Sequence, residues 1–87
     1  MVMYSIFYTP KAKKAIPMLK AAHLGEKAKK LIDIIRENPY KNPPPYEKLV
    51  GDLSGASSRR INIKHRLVYE VYEDEKKIKI ISLWTHY

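Results

Sequence analysis

The sequence predicts an α+β fold in which two helices cover one face of a mainly antiparallel sheet. After a short initial strand, the apolar residues of the N-terminal half recur at helical spacing, whereas those of the C-terminal half tend to alternate with a period of two. A tract with four prolines in nine residues, 38–46, separates the halves and excludes a helix there. The predicted order is a strand, two helices and three strands, which leaves the second sheet face for solvent or a partner.

The N-terminal half begins with alternating apolar residues over 2–8, which predict a strand. Thr9 and Pro10 are typical of an N-cap and the first position of a helix. Pro17 lies inside that helix and removes one backbone hydrogen bond, so we expect a kink or a restart there. A second helix follows Gly25 and ends before the proline tract. The apolar stripes of the two helices are Ala12, Ala15, Ile16, Leu19 and Ala22, and then Ala28, Leu31, Ile32 and Ile35.

The C-terminal half predicts three strands, at 59–63, 67–72 and 77–84. The polar residues 73–76 form a turn between the last two strands, so these two are expected to make a hairpin. Strict alternation in the last strand places four side chains on one face: Ile78, Ile80, Ser82 and Trp84.

Length and composition exclude several classes of protein. The 87 residues suit a single domain spanning 1–87, and the absence of cysteine excludes disulfides and thiolate metal sites. No apolar run is long enough to span a membrane, and the first residues do not resemble a signal peptide, so we expect a cytoplasmic protein. The net charge of +8 indicates an anionic partner such as nucleic acid or an acidic protein.

The charge is unevenly distributed along the chain. Residues 1–43 carry nine basic and three acidic residues, a net charge of +6, whereas residues 44–87 carry eight and six, a net of +2. The lysines of the predicted helices form a broad basic surface that suits contact with ribosomal RNA, although many helices carry a solvated lysine face.

No familiar catalytic motif accounts for the polar residues of the C-terminal half. Gly51 and Gly55 lack the spacing of a phosphate-binding loop, no histidine or carboxylate spacing indicates a metal site, and the serines lie in no nucleophile elbow. Cleavage of RNA at its ribose 2′-OH needs a base, an acid and cations near the phosphate. Spacing alone is weakly specific, but these residues supply such groups without a metal or other cofactor: Glu47, Arg59, Arg60, Arg66 and His86.

Several short motifs carry a resemblance to a known family. They are Pro45-Tyr46-Glu47-Lys48-Leu49, Asp52-Leu53-Ser54-Gly55, Ser58-Arg59-Arg60-Ile61, His65-Arg66-Leu67-Val68-Tyr69 and a final His86-Tyr87. In these motifs the chain resembles the YoeB/Txe family, toxins of bacterial toxin–antitoxin pairs within the RelE superfamily. The resemblance is dense over residues 38–87 and looser in the N-terminal half.

The resemblance implies a function and a set of site residues. Such toxins cut mRNA in the ribosomal A site and are silenced by a cognate antitoxin. It implies that Glu47 is the general base, Arg66 stabilises the phosphate, His86 is the general acid and Tyr87 orients the RNA or the acid. Arg59 and Arg60 match family positions and are expected to contact phosphate. The resemblance is also consistent with a homodimer, which nothing in the sequence establishes.

Alternatives stay open for several of these side chains. Consecutive strand residues point to opposite faces, so only one of Arg59 and Arg60 can reach the scissile phosphate. Arg66 could pair with Glu70 instead, and Tyr46 could stack on a base or pack on the proline tract. His65 matches no family role and is expected to be structural or exposed, and Trp84 is more often a packing residue than a platform for a base.

Two other functions remain open from the sequence. One is a non-catalytic inhibitor on the same fold, such as the gyrase-targeting relatives, which lack this acid–base set. The other is a small RNA-binding module without chemistry, whose binding would depend steeply on salt.

Overall fold

The computed structural model describes residues 3–51 and 55–85, which form two helices and a five-stranded sheet. The α+β prediction is therefore confirmed. Neither described helix is long and apolar enough to cross a bilayer. The elements are β1 (Ser5–Tyr8), α1 (Pro10–Ala21), α2 (Gly25–Glu37), β2 (Glu47–Lys48), β3 (Ala56–Arg60), β4 (Arg66–Tyr72) and β5 (Lys77–Thr85).

The strands are arranged in the order β1-β5-β4-β3-β2. The edge strand β1 pairs with β5 in parallel, and the other neighbours, including the predicted β4–β5 hairpin, are antiparallel. Apolar stripes of both helices pack against the sheet in one core. The core residues of β4 and β5 are Leu67, Tyr69, Ile78, Ile80 and Leu83. Because alternate strand residues share a face, the residues between them on β4 lie on the face away from this core.

The third quarter of the chain differs from the prediction. β3 begins at Ala56 and ends at Arg60, whereas the alternation predicted a strand over 59–63. Residues after Arg60 turn instead, because the Asn62 side chain accepts hydrogen bonds from the backbone N–H groups of Lys64 and His65. The two-residue strand β2 was not predicted, since it exists only through its pairing with β3.

The predicted single alternating face of the last strand is wrong beyond Ile80. Val68 pairs with Ser82 and Tyr69 with Ile80, so Ile81 is an extra residue in β5. The irregularity brings Leu83 into the core at 1% exposure, a position that strict alternation from Ile78 would assign to the other face.

Helix α1 runs without interruption through Pro17, so the predicted restart is not observed. The Thr9 hydroxyl accepts a hydrogen bond from the Ala12 N–H, as expected of the N-cap, and donates one to the Ile81 carbonyl of β5. The helix ends where His23 adopts a left-handed φ of 60°. The Leu24 N–H then bonds to the Leu19 carbonyl, which is the longer bond of a Schellman motif.

A carboxylate in the β4–β5 turn ties three distant parts of the chain together. Glu73 accepts hydrogen bonds from the hydroxyls of Tyr4 and Tyr40 and from the Lys76 ammonium group. These three donors stabilise the charged carboxylate and lower the pKa of Glu73 to about 2. The turn is thereby connected to the start of β1 and to the proline tract.

This cluster predicts an acid-sensitive contribution to stability. A carboxylate whose folded pKa is depressed stabilises the fold above its unfolded pKa, and that contribution disappears as the pH falls through the folded value. Between pH 5 and pH 2 the wild type should therefore lose more unfolding free energy than Glu73→Gln, measured by urea denaturation. Asp74→Asn removes a charge from the same turn and should keep the wild-type response. An equal acid response in wild type and Glu73→Gln would contradict this role.

Candidate active site

Three of the predicted site residues share the sheet face opposite the helix-packed core. Glu47 pairs with Ser58 across β2 and β3, and Ser58 pairs with Val68 across β3 and β4. Directly paired side chains lie on the same face, as do residues two apart in a strand. Arg60 and Arg66 are therefore on the face that carries Glu47.

The Glu47 carboxylate and the Arg66 guanidinium lie close together on this face. Arg66 Nη1 is 3.6 Å from Glu47 Oε1, and the same nitrogen is 3.5 Å from the Ser58 hydroxyl. The Arg66 side chain is 15% exposed, whereas that of Glu47 is 68% exposed. The carboxylate beside Arg66 is that of Glu47 and not the alternative partner Glu70, which accepts a hydrogen bond from the Tyr72 hydroxyl. The arrangement offers an anchored cation beside a carboxylate that solvent and substrate can reach.

A second cation adjoins the first. Arg60 is exposed at the end of β3 and pairs directly with Arg66 on β4. Like charges directly opposite each other in a sheet are unfavourable, and an anion bound between them relieves the repulsion. This register is well suited to a phosphate group.

Arg59 does not occupy the exposed position that the predicted RNA contact requires. Arg59 and Arg60 do point to opposite faces, but Arg59 is only 1% exposed. Its guanidinium donates to the Tyr69 hydroxyl and to the backbone carbonyls of Pro39, Lys41 and Pro44. A group that is buried and engaged in this way cannot also bind a substrate phosphate, so the expectation of an RNA contact at Arg59 is corrected.

The aromatic candidates pack within the protein. The Arg59 guanidinium carbon lies 4.8 Å from the centre of the half-buried Tyr46 ring, which favours the packing alternative for this tyrosine. His65 is 7% exposed and stacks on Trp84 with 3.7 Å between the ring centres. The structural interpretation of His65 and Trp84 is thus confirmed.

The predicted acid and tyrosine, His86 and Tyr87, lie outside the described residues. The residue before them in the sequence, Thr85, pairs with Arg66 at the end of β5. In residues 3–51 and 55–85 no cluster of three or more histidine or carboxylate residues could hold a metal ion.

Sequence reasoning missed the supporting parts of this site. Ser58 had no assigned role, although its place two residues before Arg60 in a strand already puts both on one face. The carbonyl acceptors of Arg59 left no signal in the sequence, because backbone groups are the same at every residue.

Comparison with known families identifies the family of this chain. A family model described as the YoeB-like toxin of bacterial type II toxin–antitoxin systems matches residues 18–87. The chain belongs to this family. A YoeB toxin of Streptomyces coelicolor is 43% identical over 58 residues, which are 67% of this chain and 67% of that relative. The RelK toxin of Mycobacterium tuberculosis is 40% identical over 58 residues, or 67% of this chain and 66% of the relative.

Solved structures of the YoeB family share the whole fold. The YoeB/ParE toxin from Agrobacterium tumefaciens superposes with a TM-score of 0.86 at 28% identity, covering 95% of this chain and 99% of that one. The toxin in the YoeB–YefM complex from Staphylococcus aureus gives 0.80 at 33% identity, covering 97% and 98%. A YoeB dimer from Staphylococcus aureus gives 0.81 at 32% identity, covering 98% and 99%. The protein is thus a YoeB-type toxin of a toxin–antitoxin system.

Proposed function

We propose that this toxin is a ribosome-dependent endoribonuclease that cuts mRNA in the A site of the ribosome. The observation that carries the proposal is the exposed Glu47 carboxylate 3.6 Å from Arg66. A base next to an anchored cation is the pairing that attack of a ribose 2′-OH on the neighbouring phosphate requires. Membership of the YoeB family supports the same reaction.

Each residue has a role in one displacement at phosphorus. Glu47 accepts the proton of the 2′-OH as its oxygen forms a bond to the phosphorus atom. Arg66 stabilises the negative charge that builds on the phosphate oxygens, and Arg60 binds the phosphate. His86 donates a proton to the departing 5′-oxygen as its bond to phosphorus breaks, and Tyr87 orients the acid or the RNA. The products are a 2′,3′-cyclic phosphate, which water can open to a 3′-phosphate, and a free 5′-hydroxyl.

The rest of the surface suits docking on the ribosome. The basic residues of the two helices provide a sequence-independent attraction to ribosomal RNA. They are Lys11, Lys13, Lys14, Lys20, Lys27, Lys29, Lys30 and Arg36. We place this activity in the cytoplasm, where ribosomes translate mRNA.

The proposed protein partners follow from the solved relatives. One of the related structures is a complex of YoeB with YefM, and another is a YoeB dimer. We propose a cognate antitoxin whose acidic segment folds onto the basic surface and displaces Tyr87, and a homodimer as a further assembly. A crystal structure of the complex with Tyr87 undisturbed would contradict the displacement.

The activity is tested with purified toxin, ribosomes and a defined mRNA. The expected result is cleavage of mRNA bound to translating ribosomes, with a cyclic phosphate or 3′-phosphate on the upstream fragment and a 5′-hydroxyl on the downstream fragment. Chelation of divalent ions after the ribosomal complex has formed should leave cleavage unchanged as long as the complex stays assembled. Intact mRNA together with poisoned gyrase would support the non-catalytic inhibitor instead. Salt-sensitive RNA binding without any scission would support a binding module.

A further inference from the structure

The backbone of the proline tract converges on one buried side chain. Three carbonyl groups of the tract accept hydrogen bonds from the Arg59 guanidinium: Pro44 at 2.6 Å, Lys41 at 2.9 Å and Pro39 at 3.0 Å. Tyr69 accepts a fourth at 3.0 Å and donates its own proton to the Pro39 carbonyl at 2.8 Å. A tract this rich in proline has few N–H groups of its own, so its conformation depends on such external partners.

Only an arginine can make this set of contacts. The guanidinium presents five N–H groups in a rigid plane, and four of the bonds to its acceptors are seen here. A lysine has three donors on one atom and cannot reach acceptors spread around a fork. Among the described residues the acceptors of Arg59 are neutral carbonyls and a phenol, and burial raises the pKa of Tyr69, which keeps this phenol neutral.

The tract held by Arg59 leads directly into Glu47. Tyr46, the preceding residue, lies against the guanidinium at 4.8 Å. Glu47 itself belongs to a two-residue strand that pairs with Ser58, the neighbour of Arg59. Strand β3 therefore holds the segment around Glu47 in two ways: through backbone pairing at Ser58, and through the contacts of the Arg59 side chain with the tract.

From this geometry we infer that Arg59 is a positioning residue for the base Glu47, acting through the proline tract without touching the RNA. The inference rests on the proposed endonuclease function. It separates two adjacent arginines by role: Arg60 binds phosphate on one face, and Arg59 sets the position of the base from the other.

The test compares Arg59→Lys with its neighbour Arg60→Lys, which makes the same change one residue away. Misplacing a reacting group by about 1 Å costs on the order of a hundredfold in rate. Arg59→Lys should therefore lower kcat for ribosomal mRNA cleavage about 10- to 100-fold with KM unchanged. Arg60→Lys should act mainly on KM, because it weakens a substrate contact.

A second readout needs no substrate. In hydrogen exchange on the free toxin, Arg59→Lys should speed exchange of the hydrogen-bonded amides of Tyr40, Lys41 and Glu47 at least about tenfold, while amides of β4 keep their protection. Arg60→Lys should leave the exchange rates of the tract amides and of the β4 amides unchanged. If Arg59→Lys lowers the protection of β4 as well, Tyr69→Phe replaces it, since that variant keeps the arginine and removes one of its acceptors together with the Tyr69 bond to the Pro39 carbonyl.

The outcomes separate this inference from the proposed function. The positioning role would be overturned if the wild type cuts mRNA and Arg59→Lys, or Tyr69→Phe in its place, keeps both the wild-type kcat and the wild-type exchange rates. The proposed endonuclease function would not be affected by that result. A wild type that cuts no mRNA would sink the proposed function and with it a role of Arg59 in catalysis. Faster exchange confined to the tract, with kcat reduced and KM retained, would support both.

Discussion

Glu47→Gln is expected to lower the single-turnover rate of mRNA cleavage on ribosomes at least about 100-fold. Glutamine keeps the size of the side chain but cannot accept the proton of the 2′-OH. Because Glu47 is exposed in a two-residue strand, its substitution should leave the unfolding midpoint unchanged. The measurement is quench-flow cleavage of a labelled mRNA with toxin in excess over ribosomes, together with thermal denaturation of the free toxin.

The matched control for this substitution is Glu26→Gln. Glu26 is an exposed carboxylate in the first turn of α2, so its change alters net charge equally without touching the site. It should cut mRNA at the wild-type rate. Wild-type cleavage by Glu47→Gln would remove Glu47 as the general base.

Arg66→Ala is expected to lower the same rate about 100- to 1,000-fold, because it removes a preorganised donor from the phosphate as charge develops. Arg66 is held by Glu47 at 3.6 Å and by the Ser58 hydroxyl at 3.5 Å, so its position is prepared before RNA binds. Arg66→Lys retains the charge but lacks the planar guanidinium with its several donors, so its cleavage rate should lie between those of the wild type and the alanine variant.

Arg60→Ala provides the comparison on the same face. It leaves Arg66 in place and should weaken binding of the ribosomal complex more than it slows the chemical step. If Arg66→Ala changes only KM, then Arg66 contributes to binding and the stabilisation of the transition state must come from another group. Circular dichroism of the free variants controls for loss of fold.

Much of the fold was accessible from the pattern of apolar residues. The helical stripes and the β4–β5 hairpin were predicted because a 3.6-residue and a two-residue period are local properties of a chain. The prediction failed where a local side-chain turn or an irregular strand pairing replaced the period of two. The Asn62 side chain ended β3 early, and the extra residue Ile81 moved Leu83 into the core.

The site itself stays a prediction, and the structure shows where its described residues lie. Glu47 and Arg66 were predicted from the chemistry of RNA cleavage and from the family resemblance. In the structure Arg66 Nη1 lies 3.6 Å from Glu47 Oε1. For Arg59 and Arg60 the alternation of a strand correctly predicted opposite faces. It could not say which face would be covered, because that depends on where the proline tract crosses the sheet.

By itself the sequence determined the fold class, the family and the residue types that can cleave RNA. These follow from periodicity, composition and short motifs, all of which are carried by neighbouring residues. Only the tertiary structure decided that Arg59 is buried as an internal anchor whereas Arg60 is exposed on the face that carries Glu47 and Arg66. The two side chains have the same chemistry, and they differ because the carbonyls of the proline tract meet one of them and leave the other exposed.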